Sequence, residues 1–461
     1  MAGIGFELKR VLRQGGVVRF LGVSLAGTAI VAGPWLLSVL GIFLIQRYAA
    51  LAISEAPVLF SAVIVSSSAF SLVIFSGLHY VFTRQVSDLI YEEKNREAGA
   101  ALLSFVMGTL VLAALIAAAG LLPLRLEGVV ARPGLFLVSA GALFVATCLN
   151  WVLMSFISLL RSYTGILMTY LGGSLVSFLG TFLLGSAFAT GGAILGYAIG
   201  QWMTTIVLYS MTLARFRPSR LRPGQLLSYL SRYRMLFLAG LLYAWATWVD
   251  KVVFWFAMGS GVRGTWLRVF DPYDLPIFFS ILTLIPGLIY FTIETETAFY
   301  PRLREIHRSV ASDTFQRIQE KKYAMIRSLG AGLRGQAALQ GIISVVLVLA
   351  APTLGPAIFG PGINIPALRA TLAAVFFHAL FLSLLIFLFY LELYGRAAVS
   401  TLVFFVVNLA ASVAIAQIGD LRLLGLSYLL GGALGSAAAG LFLARALRRF
   451  DHILFIRASR N

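Results

Sequence analysis

The sequence predicts an all-α polytopic membrane protein with about 12 transmembrane helices. Of its 461 residues, 60% are hydrophobic and 12% are charged, and the mean hydropathy is +0.92. An ordinary soluble domain has roughly 25% charged residues. The 36 Lys and Arg and 18 Asp and Glu side chains are too few to cover a chain of this size, so most of its surface must face lipid.

Twelve apolar runs are each long enough to cross the bilayer as a helix, because about 20 apolar residues span its hydrocarbon core. The predicted spans are residues 20–46, 57–82, 98–123, 134–160, 164–188, 191–214, 235–258, 273–293, 336–359, 366–390, 397–417 and 424–444. The first run is too long for a signal-peptide core, so we expect it to be retained as a span.

Hydrophilic segments divide the chain into two predicted lobes. Residues 215–234 form a linker between a lobe at 20–214 and a lobe at 235–461, each with six spans. Residues 1–19 have the apolar and basic faces of an interfacial helix. Residues 299–335 form the largest hydrophilic insertion, either an amphipathic helix at the membrane surface or a solvated loop.

The basic residues predict the orientation. With the N-terminus inside, 28 Lys and Arg residues lie in cytoplasmic segments and 7 lie outside, and Lys251 lies within a span. Cytoplasmic loops of membrane proteins are enriched in Lys and Arg, so this distribution predicts cytoplasmic N- and C-termini. It also accounts for the net charge of +18 without a nucleic-acid partner.

Asp250 and Lys251 are the leading candidates for a transport pathway, because ionisable groups within a span are costly and therefore often functional. As neighbours, they point about 100° apart on a helix, so we expect them to pair poorly with each other. Either Asp250 faces a central cavity while Lys251 contacts another helix or snorkels outward, or each forms a structural ion pair between helices.

Glu294 and Glu296 end the eighth predicted span and lie two residues apart. They are candidates for an acidic entrance to the pathway, or they solvate the helix end. We favour the entrance for Glu294 and the solvating role for Glu296. Pro276 and Pro286 in the same span are candidate hinges, because proline removes a helix hydrogen bond.

Three further residues are candidates with weaker signals. Asn150 lies in a span and either lines the pathway or forms an interhelical hydrogen bond. Trp255 either provides an aromatic face for a sugar or belongs to an interfacial belt. Pro34 interrupts the first span at a position equivalent to the Asp250 region, so it is a candidate hinge.

Enzyme motifs are scarce in the sequence, and the acidic pair Asp271 and Asp274 is more typical of helix capping than of a metal site. The sequence contains no GxxxxGK[ST] phosphate loop and no HExxH or CxxC metal pattern, and its single cysteine, Cys148, cannot form an internal disulfide. The predicted outer loops are too short for a catalytic domain. We therefore expect no enzyme activity, no cofactor and no resident metal.

Several sequence blocks together resemble the PelG family, the inner-membrane component of bacterial Pel exopolysaccharide export. They are the opening MAGIGFEL, AGPWLLSVLG at 32–41, DKxxFWF at 250–256, YDLPIF at 273–278, IPG at 285–287, IET at 293–295, and FHALFLSLLIFLFYLELYGR near the tenth span. Where PelG-like chains often end the eighth span with one acidic residue, this chain has Glu294 and Glu296.

The resemblance implies a transporter of the multidrug/oligosaccharidyl-lipid/polysaccharide flippase superfamily, with two six-helix lobes around a central cavity. It implies export of a polymer rich in N-acetylgalactosamine and galactosamine. It also implies PelD-like and PelE-like membrane partners and a PelF-like cytoplasmic glycosyltransferase. We expect the basic residues Arg317, Lys321 and Lys322 to dock that glycosyltransferase.

Other function classes remain open at this stage. A cation-coupled drug or small-molecule exporter of the same superfamily is the main alternative. A membrane polymerase or ligase generally needs a larger outer loop than the predicted ones. A scaffold without transport activity is a further alternative, against which a charged residue such as Asp250 within a span argues moderately.

Overall fold

The computed structural model describes residues 57–159, 163–216, 223–310, 313–452 and 454. Its α-helices, in chain order, are α1 (Pro57–Tyr91), α2 (Asn95–Leu121), α3 (Pro133–Leu159), α4 (Tyr163–Arg215), α5 (Pro223–Arg232), α6 (Arg234–Met258), α7 (Asp271–Leu282), α8 (Ile285–Glu294), α9 (Tyr300–Ser309), α10 (Phe315–Phe359), α11 (Ile365–Tyr390), α12 (Tyr394–Ile418) and α13 (Leu426–Arg448). Two short antiparallel strands, β1 (Ser260–Gly261) and β2 (Arg268–Val269), connect α6 to α7.

The described residues confirm the all-α membrane fold. They contain 10 helical segments that are long and apolar enough to cross a bilayer. The 53-residue α4 contains two predicted spans, separated by non-helical backbone at Phe188 and at Ala189, whose φ is 53°. These segments correspond to eleven of the twelve predicted spans. The first span, the interfacial helix at 1–19 and Pro34 lie outside the described residues.

The described residues form two compact units, one of which comprises those within 57–248 and 255–270. Its two α4 limbs pack very closely: a Cβ atom added at Gly180 would lie 2.8 Å from the Gly196 carbonyl oxygen. Because only glycine leaves room for this approach, these small residues determine the packing of the two limbs.

The other unit comprises the described residues of 249–254 and 271–454. Small residues of α13 again allow close packing: a Cβ atom at Gly431 would lie 2.8 Å from the Phe404 ring of α12. The eighth span is interrupted at Thr283 and Leu284, immediately before Pro286, and a π-helical turn at Thr295–Phe299 joins α8 to α9. Pro286 lacks the N–H that would continue the helix, which accounts for the interruption. Pro276 lies inside α7.

The predicted insertion at 299–335 is a helical hairpin rather than a loop or a separate surface helix. Helix α9 and the first part of α10 form its two arms, and α10 continues without interruption into the ninth span. At 1.5 Å per residue, the 45-residue α10 is about 68 Å long, well beyond the bilayer core. Ile318, Met325 and Leu329 are buried, whereas Phe315 is 62% exposed. The apolar face predicted for a membrane surface therefore packs within the protein.

Candidate functional site

Asp250 and Lys251 form an ion pair within α6, so the prediction that they pair poorly is wrong. Lys251 Nζ lies 3.3 Å from Asp250 Oδ1, and the two side chains are 1% and 0% exposed. Although their Cβ atoms point in different directions, the four-carbon lysine side chain is long enough to bend back to its neighbour. Neither charge is exposed in this structure.

Aromatic hydroxyl groups and rings connect this ion pair to three other helices. Tyr273 of α7 donates a hydrogen bond from Oη to Asp250 Oδ2. The Tyr428 ring of α13 lies 5.0 Å from Lys251 Nζ, close enough for a cation–π interaction. Tyr428 Oη in turn lies 2.8 Å from Nδ1 of His378 in α11. We call these five residues the polar network.

The polar network explains how two charges can be buried in a membrane span. A buried ion pair is tolerated when further polar contacts satisfy its charges: the Tyr273 hydroxyl donates a hydrogen bond to the carboxylate, and the Tyr428 ring makes a cation–π contact with the ammonium group. Its composition permits a carboxylate, an ammonium group, two phenols and an imidazole to exchange partners or protons when the surrounding helices move. The network has no open surface here, so a role in transport requires it to open.

Sequence reasoning missed the part that Tyr273, Tyr428 and His378 play in this network. Tyr273 occurs in the YDLPIF block and His378 is an ionisable residue in a span, but no spacing in the sequence relates them to Asp250. Their proximity results from the packing of α6, α7, α11 and α13.

Glu294 and Glu296 have different environments. Glu294 lines an open cleft of about 360 Å³ between α8, α9 and α10, together with Ala298, Arg302, Ala324, Arg327, Ser328 and Ala331. Glu296 is only 2% exposed, so the solvating role favoured for it is wrong. The π-helical turn that contains Glu296 changes the helical register and directs its side chain inward. The acidic-entrance role of Glu294 remains a prediction.

Asn150 and Trp255 are buried in the other unit. Asn150 donates to Gln201 Oε1 at 3.1 Å and accepts from Thr205 Oγ1 at 2.8 Å, linking α3 to α4. This is the interhelical hydrogen bond anticipated for Asn150. Trp255 is 4% exposed, and its ring lies 6.1 Å from that of Trp248. Neither residue contributes an open surface in this structure.

Two of the three predicted docking residues form ion pairs within the protein. Lys321 Nζ lies 2.7 Å from Asp313 Oδ2 and 3.2 Å from Glu305 Oε1. The hydrogen bond from Lys321 holds the pKa of Asp313 below its ordinary value. Lys322 is buried, and its Nζ atom lies 2.5 Å from Asp451 Oδ2. Arg317 is exposed.

The family comparison provides the decisive observation. The family model PelG, described as "Putative exopolysaccharide Exporter (EPS-E)", matches residues 1–455. The chain belongs to the PelG family. No curated protein matches the sequence. Membership confirms the resemblance found in the sequence and identifies a family of transporters rather than enzymes.

Solved structures of MATE transporters have the same fold. A MATE structure in the bent conformation has a TM-score of 0.63 at 13% identity and covers 99% of this chain and 100% of that chain. The Vibrio cholerae MATE transporter VcmN in the bent form has a TM-score of 0.62 at 14% identity, with coverage of 94% and 99%. The eukaryotic MATE transporter AtDTX14 has a TM-score of 0.60 at 11% identity, with the same coverage. These similarities confirm a MATE-like fold with two lobes.

Proposed function

We propose that this PelG-family chain receives a Pel-like, amino-sugar-rich polysaccharide from a cytoplasmic glycosyltransferase and moves the polysaccharide across the bacterial inner membrane. The match of the PelG family over residues 1–455, on a transporter fold, carries this proposal. PelD-like and PelE-like membrane subunits and a PelF-like glycosyltransferase are its proposed partners. The N- and C-termini are cytoplasmic in this proposal, as the distribution of basic residues predicts.

The polar network is the proposed moving part of the transport cycle. Burying a charged pair in a span lowers the stability of the protein, and a passive scaffold gains nothing from that loss. In the proposed cycle, contacts of Tyr273 and Tyr428 with the pair break when α6 moves relative to its neighbours. The exposed carboxylate, no longer bonded to Tyr273, then accepts hydrogen bonds from the hydroxyl and ammonium groups of partly deacetylated amino sugars, and it releases them when it becomes buried again.

A complementation experiment tests the proposal. The chain is expressed in a Pel-producing strain that lacks its own transporter, and secreted hexosamine polymer is measured together with the amount of protein in the inner membrane. We expect restored secretion and co-purification of the glycosyltransferase. Normal membrane abundance without secreted polymer, in a strain whose other Pel components are compatible, contradicts the proposal.

Export of a drug or another small molecule is the second candidate, because the structurally similar proteins are MATE transporters. Drug export predicts increased resistance to cationic drugs in a strain without the Pel glycosyltransferase. Polysaccharide export predicts no increase in resistance in that strain.

The orientation has its own test. A cysteine introduced at Ser312, with Cys148→Ala as background, should resist an impermeant maleimide added to intact cells and react after the membrane is opened. Labelling in intact cells contradicts the proposed orientation.

A further inference from the structure

The cleft between α8, α9 and α10 combines features that bind phosphate groups. Its basic side chains are Arg302 of α9 and Arg327 of α10, and Ser328 contributes a hydroxyl group. Alanines at 298, 324 and 331 leave the space between these polar groups open. The volume of about 360 Å³ lies within the range of small-ligand sites.

Arg302 is held in place on the wall of the cleft. Its Nη1 atom donates to the Ala298 carbonyl oxygen at 2.6 Å and to Ser328 Oγ at 3.1 Å. Because these bonds use only one of its nitrogens, the remaining N–H groups can donate to a ligand. Arginine presents its donors in a fixed planar fork, which matches two oxygens of a phosphate group.

The cleft charges are not neutralised by one another. Within the described ranges, no ion pair under 4.0 Å joins Glu294 to Arg302 or Arg327. Glu294 lies at the end of the cleft nearest the predicted membrane core, since the eighth span ends at residue 293. Arg302 is eight residues further along the chain, in α9, and so lies farther from the predicted span. The basic end therefore lies on the water side of the cleft.

We propose that this cleft binds a phosphate group through Arg302, Arg327 and Ser328, with Glu294 limiting its affinity for anions. Two sources provide that chemistry: the headgroup of an anionic phospholipid, and a soluble diphosphate in the cytoplasm. The site adjoins the predicted membrane surface, where basic pockets between helices bind lipid headgroups. This inference does not depend on the polysaccharide function.

The experiment compares full-length protein and its variants in two binding assays. Native mass spectrometry of the detergent-purified protein with added phosphatidylglycerol measures retained lipid, and calorimetry with pyrophosphate measures the soluble source. Arg302→Gln/Arg327→Gln should weaken binding at least about tenfold in one assay, because hydrogen bonds to charged groups are lost. Arg304→Gln/Arg308→Gln is the matched control, since it removes two exposed charges of α9 outside the cleft.

Glu294→Gln tests the sign of the electrostatic effect, because removing the carboxylate should strengthen anion binding in the same assay. Arg327→Gln alone leaves the Arg302 bonds intact, so it preserves the test if the double variant is unstable. A loss confined to the lipid assay identifies a headgroup site, and a loss confined to pyrophosphate identifies a soluble ligand. Equal binding by the cleft variant and its control in both assays, or weaker binding by Glu294→Gln, overturns the proposal.

Discussion

Replacing Asp250 with asparagine separates the charge of the carboxylate from its shape. Asparagine still offers an oxygen to the Tyr273 hydroxyl, but the Lys251 ammonium loses its counter-charge. Because Lys251 is 1% exposed, water cannot stabilise that ammonium in this conformation. Removing one partner of a buried ion pair costs about 3–5 kcal/mol. We therefore expect Asp250→Asn to lower thermal stability. Lys251→Met should also lower it, because it leaves the Asp250 carboxylate buried without a counter-charge.

The double variant Asp250→Asn/Lys251→Met distinguishes a structural role from a transport role. It leaves no unpaired charge, and replacing a buried ion pair by neutral groups is often neutral for stability. We expect thermal stability and membrane abundance to return close to those of the unmodified protein. If the pair takes part in transport, secretion should remain low despite this recovery.

The assay measures three quantities in parallel: membrane abundance, the unfolding temperature in detergent, and secreted polymer per unit of protein. Tyr273→Phe is the matched control, since it removes one hydroxyl group and keeps both charges. Normal secretion by a stable double variant would remove the ion pair from the mechanism. If Asp250→Asn alone is as stable as the unmodified protein, the free-energy cost assigned to leaving the Lys251 ammonium buried and unpaired is wrong.

Three further expectations concern packing and docking. Lys322→Glu should lower stability by about 2 kcal/mol, as measured by thermal unfolding, because it breaks an ion pair in which Lys322 is 8% and Asp451 34% exposed. Arg317→Glu should change stability by less than about 0.5 kcal/mol while weakening co-purification of the glycosyltransferase; equal co-purification would exclude Arg317 from docking. Gly180→Ala should destabilise by about 1–3 kcal/mol through contact with Gly196, whereas Gly108→Ala, which meets no atom within 4 Å, should be tolerated.

The membrane fold could be predicted from the sequence because the bilayer imposes a length and a composition on each span. The hairpin at 299–335 was only partly predictable. Its apolar spacing correctly indicates a helix at Ile318, Met325 and Leu329, but spacing alone does not distinguish a lipid surface from a protein neighbour. Burial of Lys322 beside Asp451 depends on a contact between residues 129 positions apart.

The candidate site was predictable as individual residues and not as a network. The cost of charge in lipid singles out Asp250 and Lys251 from one sequence. Their mutual pairing depends on the rotamer of a flexible lysine side chain, which the helical angle between neighbours does not determine. Tyr428 and His378 enter the network only through the packing of α11 and α13 beside α6.

An ion pair within one helix has a consequence for movement that an ion pair between helices does not. Separating two helices joined by a salt bridge leaves two uncompensated charges, at a cost of about 3–5 kcal/mol or more. Here Asp250 and Lys251 move together with α6, so their charges stay compensated. In the proposed cycle, movement of α6 breaks the Tyr273 hydrogen bond, worth about 1.5–3 kcal/mol, and the Tyr428 cation–π contact, worth about 2 kcal/mol. Water or sugar hydroxyl groups can replace both contacts, so the pair can change its surroundings without a charge separation.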